Sequence, residues 1–197
     1  MRIKICGITN LEDALAAIKA GAHALGFVFY EPSTRYITPD NAQKIIEQLP
    51  PFVQIVGLFV NMEANAVNQI SQQCKIDLAQ IHFEATDDFY EQLNVKYIKV
   101  IRAQSKQDIV NIQNEYVLVD AFVQSYGGEG KRVALEWFEK IACEKIILAG
   151  GLDALNLSQL NNFGFYGVDV SSGVEAQKGK KDKTMMIDFV QRAHEII

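Results

Sequence analysis

The segment KIILAGGLDALNLSQLNNFGFYGVDVSSGVEA, Lys145 to Ala176, carries two short apolar runs that each stop at small residues. KIILA ends at Ala149 and is followed by Gly150 and Gly151; YGVDVS ends at Ser171 and is followed by Ser172 and Gly173. Both runs read as strands, and Asp153 sits where the N-cap of an intervening helix belongs. A strand, a helix and a second strand imply parallel pairing through a crossover.

The same alternation extends back to the first residues. IKIC ends at Cys6, ALGFVF at Phe29, VQIVGLF at Phe59, LAQIH at His82, YIKVI at Ile101 and YVLVD at Asp120, which with the first two runs makes eight strands. Between them lie stripes of helical spacing, such as Leu11, Leu15 and Ile18, or Ala42, Ile45, Ile46 and Leu49. Asn10 and Asp40 occupy expected N-cap positions, Ile109 and Ile112 support only a turn or two, and Trp137 is expected to anchor a sixth helix. Eight units in 197 residues leave about 25 residues each, near the lower limit for a TIM barrel. The fold expected is therefore α/β, a single (β/α)8 barrel domain over residues 1–197. An open doubly wound sheet is disfavoured, because the first turn, ICGITN, lacks the GxGxxG dinucleotide fingerprint.

Composition narrows the function. A 49% hydrophobic share with 22% charged residues is ordinary for a globular protein, and a net charge of −5 argues against nucleic acid or an anionic membrane as partner. The cysteines Cys6, Cys74 and Cys143 are widely spaced, without the CxxC spacing of a zinc site, and a reducing compartment suits them. His23, His82 and His194 have no metal-ligand spacing either. MRIKICGITN has only a short apolar patch and no cleavage site, and no run approaches ~18 apolar residues. A cytoplasmic protein acting on a small molecule is expected.

The chemically informative residues gather at strand exits, the face on which TIM barrels build active sites. Gly150, Gly151, Ser171, Ser172 and Gly173 follow the last two strands, where aimed backbone N–H groups can bind phosphate without net protein charge. YGGEGK, Tyr126 to Lys131, resembles a nucleotide loop but fails as one: Ser125 stands where the first glycine belongs, and Arg132 follows the lysine. Its glycines suit a lid. Cys6 and Asp120 are the candidate proton-transfer pair, with the start of helix one expected to lower the thiol pKa of Cys6. The plainer alternatives are a buried apolar cysteine and an aspartate serving as a cap or ion-pair partner.

KICGIT (Lys4–Thr9), ALGFVFYEPSTRYI (Ala24–Ile37), VGLFVN (Val56–Asn61), YGGEGK, AGGL, VDVSSGVE and GKKD (Gly179–Asp182) occur in an order that resembles the phosphoribosylanthranilate isomerase family over essentially the whole chain. The resemblance implies an Amadori rearrangement of N-(5-phosphoribosyl)anthranilate, with no cofactor and no metal. It implies Cys6 as general base, Asp120 as general acid and Arg35 as the partner of the anthranilate carboxylate. A monomer or a homodimer is expected. Two departures stand out. Phe83 replaces an expected glycine after strand four, where a bulky ring would narrow the mouth or shift the loop beside Gln80 and His82. Leu135 replaces an aromatic after the lid. Two other readings remain open, a different phosphosugar isomerase or synthase barrel and a non-catalytic phosphosugar-binding barrel.

Strand parity adds one structural expectation. Ile3 and Ile5 should face the helices, placing Lys4 in the lumen beneath Cys6. Asp169 shares a face with Ser171 on strand eight, which neighbours strand one only in a closed barrel. A lumenal Lys4–Asp169 pair is expected, within ~6 Å, because a buried ammonium needs a partner.

Overall fold

The computed structural model describes residues 1–110, 112, 115–121, 123 and 132–196. Its strands β1 (Arg2–Cys6), β2 (Ala24–Val28), β3 (Gln54–Phe59), β4 (Leu78–Ile81), β5 (Tyr97–Ala103), β6 (Val117–Ala121), β7 (Ile146–Leu148) and β8 (Gly167–Val170) form one closed barrel in sequence order. All are parallel, and β8 pairs with β1 at the seam, with Lys4 opposite Asp169. The eight strands expected from the apolar runs are all present, each shifted by a residue or two at its ends.

Parity divides the side chains as the alternation requires. Ile3 and Ile5 are buried in the large cluster between barrel and helices, with Leu25, Phe27 and Phe59. Cys6 packs instead with Val28, Leu58 and Val60, and Ile98, Leu118 and Ala149 form a separate small cluster. Lys4 Nζ lies 2.9 Å from Asp169 Oδ1, both nearly excluded from solvent, so the lumenal pair expected from parity is present.

The helices are uneven. α1 (Leu11–Ala20), α2 (Pro39–Ile46) and α3 (Ala64–Cys74) cover the first half of the barrel. Asn10 caps α1, its side chain accepting from the Asp13 N–H at 2.8 Å. Asp40 does not cap α2. Thr38 does, and Pro39 with its preset φ takes the first turn, leaving Asp40 to complement the helix dipole. α4 (Asp87–Glu91) and α5 (Lys106–Val110) are short, the latter the turn or two that its sparse apolar spacing suggests.

The sixth and seventh connections hold 3₁₀ turns, Leu135–Phe138 and Leu157–Leu160, rather than the α-helices expected there. Neither start has a side-chain cap, and Asn162 adopts a left-handed φ of 69° just beyond the second. Trp137 still packs on the core, but from a 3₁₀ turn. Asp153 accepts from the N–H groups of Leu155 and Asn156, which makes it the head of an Asx turn instead of a helix N-cap. After β8 come a 3₁₀ turn (Ser172–Val174), a hairpin of β9 (Glu175–Gln177) and β10 (Lys180–Lys181), and α6 (Lys183–His194). The candidate lid, residues 126–131, lies outside the described residues.

Candidate active site

A cavity of about 310 Å³ opens at the C-terminal ends of the strands. Cys6, Asp120 and Asp169 reach it from β1, β6 and β8; Arg35 comes from the loop after β2; Gly150, Gly151, Ser171 and Ser172 come from the loops after β7 and β8. Of the site residues expected from sequence, only Lys4 and Gly173 do not line it. Lys4 sits beneath, bound to Asp169. Gly173 lies behind the wall, where a Cβ would stand 1.9 Å from the carbonyl oxygen of Leu152. Thus the loops after β7 and β8 meet backbone to backbone.

Gly150 and Gly151 have successive positive φ values of 87° and 60°, a conformation that side chains disfavour. The turn is fixed from outside by Asn156, whose Nδ2 donates to the Gly151 carbonyl at 2.9 Å. With Ser171 and Ser172 opposite, this wall suits an anionic group held by N–H and O–H donors.

The proton-transfer candidates sit in contrasting electrostatic surroundings. Burial pushes the Asp120 carboxyl up to about 7, and the nearby Asp169 charge adds to the shift. The backbone N–H of Ala121, donating at 2.8 Å, opposes it only in part. Cys6 does not show the lowered pKa expected from the start of helix one. Burial pushes its thiol up, and Lys4 and Lys181 counter this without reversing it. Burial pulls Lys4 down, but the Asp169 carboxylate, together with the neighbouring Cys6, more than restores it and favours the charged ammonium.

Gln80 and His82, not counted among the site residues on sequence, line the same cavity. Gln80 Nε2 lies 3.2 Å from His82 Nδ1, and His82 Nε2 lies 3.7 Å from Asp120 Oδ2. Burial, helped by the Arg102 and Lys4 charges, pulls the imidazole down to about 3, so this contact joins a neutral ring to Asp120 and is no ion pair. Phe83 does not narrow the mouth. Its ring packs edge-on against Phe89 of α4, at 5.3 Å between centroids, and takes no part in the cavity wall. The QxH spacing on one strand face was the available signal for Gln80 and His82, and the bulk of Phe83 obscured it.

Arg35 is buried, and its Nε and Nη2 donate to the carboxylate of Glu175 at 2.8 and 2.7 Å. Lys181 Nζ donates to the same carboxylate at 2.9 Å. Neither partner was singled out in the sequence. Among the described residues no group of three or more His, Cys, Asp or Glu side chains is arranged to hold a metal ion, and no helix is long and apolar enough to cross a membrane.

Comparison with known proteins covers the chain almost from end to end. The family model described as N-(5'-phosphoribosyl)anthranilate (PRA) isomerase matches residues 3–192. A relative from a Nitratiruptor species, named N-(5'-phosphoribosyl)anthranilate isomerase, is 58% identical over 98% of both chains. The crystal structure of phosphoribosyl anthranilate isomerase from Thermotoga maritima superposes with a TM-score of 0.89 at 35% identity, over 100% of both chains. Another crystal structure of phosphoribosyl anthranilate isomerase, in complex with reduced 1-(o-carboxyphenylamino)-1-deoxyribulose 5-phosphate, gives a TM-score of 0.85 at 35% identity over 100% of both chains. With a matched model over nearly its full length and relatives of this identity, the chain belongs to the N-(5'-phosphoribosyl)anthranilate isomerase family.

Proposed function

We propose that Cys6 and Asp120 carry the proton transfers of the reaction this chain catalyses, the isomerisation of N-(5'-phosphoribosyl)anthranilate in tryptophan biosynthesis. The observation that carries this reading is the convergence of Cys6, Asp120 and the two small-residue loops on one cavity. Residues 1–197 act as one catalytic barrel domain, a cytoplasmic monomer or homodimer working on a small molecule without cofactor or metal.

The phosphate lies against Gly150, Gly151, Ser171 and Ser172, with Gly173 supporting that wall from behind, and Arg35 faces the anthranilate carboxylate. Asp120 gives its proton to the ribose ring oxygen as the bond from that oxygen to C1′ breaks. The anilino nitrogen supplies the electron pair that closes the Schiff base. Cys6, as thiolate, removes the proton from C2′, and the electrons of that bond form the C1′–C2′ double bond and neutralise the nitrogen. The resulting enolamine tautomerises to 1-(2-carboxyphenylamino)-1-deoxyribulose 5-phosphate. A carboxyl titrating at about 7 suits the acid, since both of its forms are populated near neutrality. Lys4 and Asp169 support the pair from below.

Loss of the substrate's anthranilate fluorescence in desalted, chelator-treated protein measures turnover directly. Wild-type protein should convert the substrate, and Cys6→Ser and Asp120→Asn should each lose on the order of 10²–10⁴ in kcat. Arg35→Ala should act at least partly through KM. A folded wild-type protein without turnover would sink the assignment, and near-normal kcat in Cys6→Ser would move the base elsewhere.

A further inference from the structure

Arg35 presents an electrostatic problem. A guanidinium already paired with one carboxylate has little net charge left for a second anion, and Glu175 occupies Nε and Nη2 through two parallel bonds. Lys181 changes that balance. Its side chain is fully buried, and Nζ lies 2.9 Å from Glu175 Oε1, the oxygen that also accepts from Arg35 Nε. Its other acceptors are the Ser171 carbonyl at 3.1 Å and the Ser171 hydroxyl at 3.3 Å, so each of the three ammonium N–H groups has a partner. Two cations thus share one carboxylate, and the cluster keeps a net positive charge.

The hairpin that carries Lys181 is held in place independently of the cavity. The Lys181 backbone N–H donates to Asp13 Oδ2 of α1 at 2.9 Å, and the Gly179 carbonyl accepts from Thr9 Oγ1 at 2.7 Å. On the other side Ser171 Oγ donates to the Cys6 carbonyl at 3.0 Å, linking the cluster to the end of β1. The GKKD motif therefore has a structural account: glycine for the turn, a buried lysine in the cluster, and Asp182 as the N-cap of α6.

We propose that Glu175 and Lys181 are positioning residues for Arg35. Glu175 fixes the plane of the guanidinium, and Lys181 offsets the Glu175 charge so that Arg35 presents net positive charge to the carboxylate of the substrate. The inference rests on the reading above in which Arg35 faces that carboxylate.

Two probes separate the possibilities: reduced 1-(o-carboxyphenylamino)-1-deoxyribulose 5-phosphate and its phenylamino analogue lacking the carboxyl group. Their dissociation constants are measured for wild type, Lys181→Met and Lys181→Gln, the last retaining a hydrogen-bond donor without the charge. Both variants should bind the carboxylated probe about tenfold more weakly and the carboxyl-free probe within about twofold of wild type. Normal binding of the carboxyl-free probe also certifies the folded cavity. Equal weakening of both probes, or no weakening in either variant, would overturn the role of Lys181. A wild-type protein that does not distinguish the two probes would instead overturn the assignment of Arg35 to the carboxylate.

Discussion

At Asp120 and Cys6 the two proposed proton-transfer groups ionise in the reverse of the order those roles require. The carboxyl titrates at about 7 and the thiol above its ordinary range, so the form with a neutral acid and an ionised base is the minor one. It carries the same single proton as the abundant form, however, and the ratio of the two does not change with pH. The sign of the pH dependence follows. Adding the second proton removes the reactive form, so kcat/KM should rise as pH passes about 7 and fall only above the raised thiol value. Asp120→Asn should abolish the limb near 7, its residual rate climbing instead through the range of the thiol. A wild-type profile flat across 6 to 8, or an unchanged limb in Asp120→Asn, would detach these groups from the proton transfers. The candidacy of both residues was legible in the sequence because each stands at or next to the exit of a strand. Their pKa values were not, because burial sets them and burial belongs to the assembled cavity.

Among the elements, the loops after β7 and β8 depend on each other. Gly173 leaves no room for a side chain beside the Leu152 carbonyl, so the wall proposed to hold the phosphate keeps its shape only while the two backbones touch. Gly173→Ala should force them apart and raise KM about tenfold, or ~1.4 kcal/mol of binding. Arg35→Ala, at the proposed carboxylate end of the ligand, should combine with it non-additively, since Arg35 bonds Glu175, two residues from Gly173. Steady-state kinetics of the single and double variants check both statements; an unchanged KM in Gly173→Ala would show that the loops tolerate separation. Small residues at strand exits were visible in sequence, but their contact was not. The caps show the same division. Asn10 was readable as the cap of α1, whereas Asp40 yielded to Thr38 because Pro39 fixes where α2 begins.

For the whole molecule, the seam between β1 and β8 closes the barrel, and the Lys4–Asp169 pair spans it. Removing one partner leaves an uncompensated buried charge, so Asp169→Leu should cost about 3–5 kcal/mol, read by urea unfolding. Lys4→Met in the same protein should recover most of that loss, since an apolar pair needs no compensating charge. A double variant no more stable than Asp169→Leu would mean that the pair supplies more than mutual charge compensation. What the sequence determined by itself was whatever depends on local periodicity: eight strands, the face on which each side chain lies, the residues at each strand exit, and hence the Lys4–Asp169 pair once closure is assumed. What only the tertiary structure decided were partners distant along the chain. Arg35 meets Glu175 across 140 positions, and His82 reaches Asp120 only because β4 and β6 converge on one lumen. The physical reason is that alternation sets the direction of a side chain, whereas its partner and its solvation follow from closure of the barrel, which no local pattern encodes.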